Sequence, residues 1–187
     1  FLAVDDAVVV AQRQVHHRAD ADLAGDLASF LPADGIELFP AWETLPFERV
    51  SPSIETMGRR LRTLWRLRTG DPTLTVVVST ARALVQRLGP HVEDIEPIVL
   101  HPGDRIDSTE LVEQLVLGGY RREYQVEHRG ELAVRGSIID VFPSTADAPV
   151  RIDLWGDEVE RLCEFSVADQ RATVDVASVQ VFGAREL

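Results

Sequence analysis

The 187-residue chain contains no lysine, so all 19 of its basic residues are arginine. Lysine contacts the phosphates in a P-loop and forms Schiff bases, so its absence excludes both kinds of site. The sequence motifs of serine hydrolases, zinc proteases and dinucleotide-binding folds are missing as well. The sequence therefore predicts a chain that has no catalytic site and needs no cofactor.

Cysteine and long apolar runs are also scarce. Cys163 is the single cysteine, which excludes an intrachain disulfide and a cysteine-rich metal site and fits a reducing cytoplasm. His16 and His17 are adjacent, so their side chains point in different directions instead of forming a metal-binding pair. No apolar run has the length of a bilayer span, and the first residues lack the pattern of a signal peptide. We expect a cytoplasmic protein with no metal site and no membrane segment.

Positive charge is in short supply. The chain has 31 acidic against 19 basic residues, a formal net charge of -12 and a pI near 4.8. Such a surface repels phosphates, so DNA binding by the whole chain is disfavoured and a protein partner is expected. One basic cluster, on a predicted helix, would be the site of DNA binding if it occurred, and a strong salt dependence would be its signature. It consists of Arg59, Arg60, Arg62, Arg66 and Arg68.

The first hundred residues alternate short apolar runs with helical periodicity. Strands are predicted at 7–11, 36–39 and 75–78, and helices at the apolar stripe Leu23, Leu27, Phe30 and Leu31, from about Ser53, and over 81–88. The arginines of the second helix are expected mostly on its side away from the apolar residues. Alternating strands and helices indicate an α/β layer with a parallel sheet.

The pattern of predicted elements changes near residue 101, where strands become more frequent than helices. A helix capped at Ser108 ends at Gly118-Gly119, and short strands follow at 120–126, 132–135, 137–142 and 150–155. This indicates a second, smaller α+β domain with a mainly antiparallel sheet. The last predicted strand, 177–181, has nothing to pair with, so we expect the chain to be part of a longer protein.

One predicted strand carries polar residues along an entire face. Because strand side chains alternate, Val150, Ile152 and Leu154 point to the core while Arg151, Asp153 and Trp155 point the other way. Arg135 adds a guanidinium from a neighbouring strand. Arginine and tryptophan are typical of protein interfaces. The alternative is an ordinary solvated sheet face with a cross-strand ion pair.

Several of these segments resemble one family. The sequence FPAWETLPFE at 39–48, RGSIIDVFP at 135–143 and FSVADQR at 165–171 are similar to the amino-terminal, UvrB-homologous region of bacterial transcription-repair coupling factors (Mfd). UvrB is the rival assignment. It inserts a tyrosine-rich hairpin where this chain runs straight from Trp42 to Ser51, which favours the coupling factors over a UvrB fragment.

The resemblance implies a domain organisation and a function. Residues 1–100 would form a degenerate UvrB-like domain 1a with a RecA/helicase-like parallel α/β fold that has lost ATP chemistry. Residues 101–174 would form domain 2, which binds UvrA, and 175–187 the start of domain 1b, returning to the first domain. The family's ATP-driven translocase and RNA polymerase-binding parts lie downstream, outside this chain. The expected role is to recruit UvrA, linking stalled RNA polymerase to nucleotide excision repair.

The family's UvrA-binding surface matches Arg135, Arg151 and Trp155 here, with Asp153 between them on the same face. The usual family pattern has phenylalanine in place of Trp155. The resemblance implies that a carboxy-terminal domain covers this face in the resting protein. An intramolecular clamp, which would serve autoinhibition, is therefore the alternative role. Since the chain lacks that domain, we expect it to bind UvrA without activation.

Overall fold

The computed structural model describes residues 8–12, 17–44, 51–89 and 94–186, without the side chains of 8–12 and 17–21. They form two compact units. One contains the described residues up to Ile95 together with Glu186, and the other contains Glu96–Arg185. The mixed α/β class is as predicted. Among the described residues, no helix is both long and apolar enough to cross a membrane.

The first unit is built on three parallel strands. Its elements are β1 (Val8–Gln12), α1 (His17–Leu27), a 3₁₀ turn (Ala33–Gly35), β2 (Ile36–Phe39), α2 (Ile54–Thr69), β3 (Val76–Thr80) and α3 (Ala81–Val85). β3 lies in the middle of the sheet and pairs in parallel with β1 on one side and with β2 on the other. Parallel pairing is what the alternation of strands and helices predicted.

Helix α2 begins and ends as its sequence requires. The Ser53 side chain caps its first turn by accepting a hydrogen bond from the Thr56 backbone N–H at 3.1 Å. Gly70 ends it in the left-handed conformation, at φ 63°. The apolar face of α2 faces a core that it shares with the sheet. That core comprises Phe39, Ala41, Leu64, Leu74, Val77 and Ala83.

Two expectations for the first unit were wrong. Phe30 does not belong to a buried stripe, because α1 ends at Leu27 and Phe30 is 86% exposed. Arg60 and Arg66 do not lie on a solvated side of α2 but are buried. Long arginine side chains are tolerated inside a protein where carboxylates and carbonyls meet their donors.

The second unit is built on an antiparallel sheet. Its elements are β4 (Ile98–Leu100), α4 (Ser108–Leu117), β5 (Arg121–Arg122), β6 (Glu131–Arg135), β7 (Ile138–Val141), β8 (Val150–Trp155), β9 (Glu158–Phe165), β10 (Ala172–Asp175) and β11 (Val179–Val181). Six strands form one sheet in the order β10-β9-β8-β7-β6-β5. All neighbours in it are antiparallel except β5 and β6, which are parallel. β7 and β8 lie at its centre.

Four details of the second unit differ from expectation. The cap of α4 is Asp107, whose carboxylate accepts from Thr109 N and Glu110 N, and not Ser108. The tail strand does have a partner, because β11 pairs antiparallel with β4. The predicted strand at 120–126 is reduced to Arg121–Arg122, and β9 and β10 were not predicted.

Candidate functional site

The polar face predicted for β8 exists. Val150, Ile152 and Leu154 are buried, whereas Arg151 and Asp153 are partly exposed and Trp155 is fully at the surface. Strand pairing places further side chains on that face in cross-strand rows. One row runs Ala133, Asp140, Arg151 and Cys163, and the next runs Arg135, Ile138, Asp153 and Arg161.

Asp140 organises the centre of this face. Its side chain is 0% exposed, yet both carboxylate oxygens accept hydrogen bonds from arginines. Arg151 donates from Nε to Oδ1 at 2.7 Å and from Nη2 to Oδ2 at 3.0 Å, a bidentate pair. Arg135, diagonal to it on β6, donates from Nη2 to Oδ2. A single buried carboxylate thus connects two of the predicted site residues.

Arg151 is held on all sides. Besides Asp140, its Nη1 donates to the backbone carbonyl of Gln170 at 3.3 Å, and its guanidinium carbon lies 4.9 Å from the centre of the Phe165 ring. The hydrogen bonds to Asp140 raise the pKa of Arg151, so the guanidinium stays charged. Its side chain is only 16% exposed. Arg151 is therefore a largely internal member of the face.

The loop that supplies the Gln170 carbonyl has an unusual conformation. Gln170 has φ 61°, the left-handed region that non-glycine residues rarely adopt. Its Nε2 donates to the carbonyls of Val126 and Val167, at 3.2 Å and 3.0 Å, and its backbone N–H donates to Ser166 O at 2.8 Å. These bonds hold the residue in a conformation that directs its carbonyl to Arg151.

Arg135 and Trp155 stand at the same end of the sheet. Both are the last residues of their strands, and each precedes a two-residue turn that begins with a glycine at positive φ, Gly136 at 62° and Gly156 at 66°. β6 and β8 both run antiparallel to β7, so their ends point the same way. The Arg135 side chain is 40% exposed and Trp155 is 79% exposed. This end of the sheet presents a cation and an indole to solvent.

The face continues onto β9 and β10. Arg161 pairs with Asp175 through Nε–Oδ1 at 2.7 Å, and both side chains are largely exposed. Cys163 is buried beside Arg151, and burial raises the pKa of its thiol. We call Arg135, Asp140, Arg151, Asp153 and Trp155 the arginine face. It combines one buried carboxylate with an exposed aromatic side chain.

The arginine cluster of α2, by contrast, is occupied by other protein groups. Arg62 and Arg66 both bond Glu37 at 2.7 Å, and Arg66 also bonds Asp71 at 2.6 Å. Each of the other arginines has its own partner. Arg59 pairs with Glu55, Arg60 with Glu186 and Pro40 O, and Arg68 with Ile95 O. This cluster does not form a row of solvated cations of the kind that binds DNA phosphates.

No metal centre is formed by the part of the chain that the structure describes, where no three histidine, cysteine, aspartate or glutamate side chains converge. His16 and His91 lie outside the described residues. His101 and His128 are exposed, each next to a carboxylate, Asp104 and Glu131.

Most of this chain is similar to known proteins. Residues 98–187 match the family model described as the UvrB interaction domain. A transcription-repair-coupling factor of Mycobacterium tuberculosis is 43% identical over 173 residues, which are 89% of this chain and 14% of the relative. The chain belongs to the transcription-repair coupling factor family. Coupling factors of Escherichia coli and Bacillus subtilis are 35% and 33% identical over 78% and 87% of the chain, and 12% and 14% of their own lengths.

The arginine face lies within the matched UvrB interaction domain of this coupling-factor chain. The chain spans about one seventh of the length of these relatives. The sequence predicts Arg135, Arg151, Asp153 and Trp155 as site residues, and sequence reasoning missed their neighbours Asp140 and Gln170. Asp140 had a signal: it is an acidic residue between Ile139 and Val141 in a strand that is buried on both sides, where a charge requires a partner.

Proposed function

We propose that the chain recruits UvrA through the arginine face and is not itself catalytic. The observation that supports this most directly is Trp155, which is 79% exposed at the end of a central strand, at the same end of the sheet as Arg135. An indole in water is unfavourable for an isolated domain and favourable at an interface, where it buries a large area and loses few rotamers. The face lies in a UvrB interaction domain of a coupling factor.

Charge supports the same assignment. The chain is acidic overall, with a net charge of -12, so a partner that approaches the arginine face must be steered locally by these arginines. Guanidinium groups orient an incoming carboxylate bidentately, and the aromatic side chain supplies buried area once the encounter has formed. We therefore expect the association rate with UvrA to fall as salt is added, because steering between charges is screened.

The first unit has a supporting part in this proposal. Its parallel three-stranded sheet with helices supports the assignment to a degenerate RecA/helicase-like domain 1a, and the absence of lysine removes the P-loop residue that ATP chemistry requires. The assignment of 101–174 to domain 2 and of 175–187 to domain 1b belongs to the same proposal. Translocation, contact with RNA polymerase and a cytoplasmic location are proposed for the longer parent protein.

Calorimetric titration of UvrA with the 187-residue chain tests the proposal. We expect Trp155→Ala to weaken binding at least about 30-fold, the loss typical of an aromatic hot spot. The matched control is Tyr124→Ala, because Tyr124 is an aromatic residue of the same unit that is 91% exposed. The double variant Arg135→Ala/Arg151→Ala is expected to lose binding and must be shown to be folded by circular dichroism, because it leaves the buried Asp140 without a partner; Arg122→Ala is the exposed arginine control.

Two outcomes would contradict the recruitment role, and a third tests the alternative role as an intramolecular clamp. Wild-type chain that does not bind well-behaved UvrA is one, and Trp155→Ala binding as tightly as Tyr124→Ala is another. The third concerns the intramolecular clamp, which would use the same face. If the chain and the resting full-length protein had equal affinity for UvrA, the face would not be covered in the resting protein and the clamp would be excluded.

A further inference from the structure

We infer that Asp140 is the positioning residue of the arginine face: it fixes the guanidinium of Arg135 in the orientation in which that group meets the partner. This inference rests on the proposed recruitment of UvrA. It concerns a residue that touches solvent nowhere, because the Asp140 side chain is 0% exposed. Asp140 therefore has no contact of its own to offer a partner and acts through its neighbours.

The hydrogen bonds give Asp140 a fixed place. Arg151 binds both of its oxygens, and Arg151 is itself held by the Gln170 carbonyl and the ring of Phe165. A carboxylate gripped in this way is a rigid acceptor for a second donor. Arg135 Nη2 binds the same Oδ2 that Arg151 Nη2 binds. The orientation of Arg135 is therefore set by its bond to Asp140 at the centre of the sheet, although Arg135 itself lies at an exposed strand end.

Arg135 retains donors after this tether is made. Only Nη2 bonds to Asp140, and within residues 94–186 the Nε and Nη1 of Arg135 have no hydrogen-bond partner. A guanidinium offers five N–H donors in a planar fork. Because Nη2 is held by Asp140, the remaining donors of Arg135 lie in a defined plane. The side chain therefore loses less conformational freedom when a partner carboxylate binds.

Asp140 could also have the opposite effect on binding, which makes its positioning role testable. Asp140 also competes with a partner carboxylate for Arg135, and removing it would then strengthen binding. Positioning and competition therefore predict opposite signs for Asp140→Asn, which keeps the shape and removes the charge. We expect weakening, because the buried carboxylate binds Arg135 by one corner only and leaves its other donors to the partner.

The experiment is a double-mutant cycle on UvrA binding with wild type, Asp140→Asn, Arg135→Ala and the double variant, each checked by circular dichroism. We expect Asp140→Asn to weaken binding about 10-fold in the wild-type background and less than about 2-fold when Arg135 is already alanine. Equal losses in both backgrounds would mean general damage to the fold and would overturn the inference. Binding at or above wild-type strength for Asp140→Asn would overturn it in favour of competition.

A second measurement covers the case in which Asp140→Asn does not fold. Nitrogen-15 relaxation of arginine Nε–H groups in the wild-type chain reports their order directly, with Arg135→Ala and Arg122→Ala spectra giving the assignments. We expect Arg135 to be nearly as ordered as Arg151 and clearly more ordered than Arg122. Disorder of Arg135 equal to that of Arg122 would overturn positioning. Failure of the wild-type chain to bind UvrA, or unaltered binding by Arg135→Ala, would instead overturn the proposed function and the inference with it.

Discussion

The two units of the molecule differ in the ratio of arginines to carboxylates in their ion-pair networks. In the first, Arg62 and Arg66 are hydrogen-bonded to Glu37 and Asp71, so two cations meet two carboxylates. In the second, Arg135 and Arg151 share the single carboxylate of Asp140. Each cation of the first network therefore has a hydrogen-bonded carboxylate, whereas the two cations of the second share one, and the other acid of that face, Asp153, lies in the neighbouring cross-strand row. The second arrangement leaves donors of Arg135 available to a partner.

The largest expected effect is the removal of the shared carboxylate. Asp140→Ala leaves two guanidiniums without their common acceptor, and we expect it to lower the free energy of unfolding by about 3–5 kcal/mol. Urea unfolding followed by circular dichroism measures this loss. The matched control is Asp147→Ala, because Asp147 is fully exposed while bonded to Arg129, and its free energy of unfolding should match wild type within error. A loss for Asp140→Ala as small as that of the control would contradict the shared role.

The second prediction separates the two networks by function. Arg66 is 7% exposed and holds Glu37, Asp71 and Thr73, so Arg66→Ala should lower the free energy of unfolding by about 3 kcal/mol. At a temperature where that variant stays folded, its affinity for UvrA should be unchanged. Arg135→Ala should do the reverse, costing less than about 1 kcal/mol of stability but weakening UvrA binding. If Arg66→Ala weakened UvrA binding as much as Arg135→Ala, the contrast would fail.

The third prediction concerns a carboxylate of the second unit that is held mainly by backbone. Burial acts to raise the pKa of Glu131, but hydrogen bonds from the backbone N–H groups of Glu127 and His128 outweigh it and hold the pKa below 4.5. A carboxylate with a lowered folded-state pKa contributes stability above its ordinary pKa and loses it as the pH falls through the folded value. We therefore expect stability from Glu131 at pH 7 that disappears in the acid range below pH 4.5.

The test is Glu131→Gln. At pH 7 this change should lower the free energy of unfolding by about 1–2 kcal/mol, since the bonds lose their charge assistance. Between pH 7 and acid conditions the difference between the variant and wild type should shrink, as measured by urea unfolding at several pH values. A difference that stayed constant with pH would show that packing, and not the ionised carboxylate, is responsible.

The smallest effect is expected on the exposed side of α2. Arg59 pairs with Glu55 one turn earlier, and both side chains are about two-fifths exposed. Arg59→Ala should therefore change the free energy of unfolding by less than about 0.5 kcal/mol. Thermal unfolding of Arg59→Ala beside Arg66→Ala measures the contrast within one helix. Equal losses would mean that burial does not determine how much these ion pairs contribute to the free energy of unfolding.

The sequence predicted what depends on local periodicity. The alternation along Val150–Trp155 follows from the pleat of a strand alone, and the structure confirms it. The start of α2 near Ser53 and the end of α4 at Gly118 are local signals of the same kind. The choice of Arg135, Arg151, Asp153 and Trp155 as the UvrA site stays a prediction.

What sequence reasoning missed depends on distant partners. Arg60 and Arg66 were predicted on a polar face because helical periodicity alone assigns arginine to the solvent side. Their carboxylate partners are distant in sequence: Glu37, which binds Arg66, belongs to β2, and Glu186, which binds Arg60, lies 126 residues away. Asp140 carries a local signal, but its role depends on arginines from two other strands, β6 and β8, that bond to it. Pairings of this kind are set by tertiary structure, which no window of neighbouring residues contains.

The position of Trp155 has a spectroscopic consequence. The chain has three tryptophans, and Trp155 alone belongs to the second unit, while Trp42 and Trp65 belong to the first and are partly buried. An indole that is 79% exposed emits at the red end of the tryptophan range and is open to quenching by iodide or acrylamide. Its emission moves to the blue, out of reach of the quencher, when another surface covers it. The residue proposed to anchor a partner is thus also an intrinsic fluorophore that reports, without any label, whether the arginine face is covered.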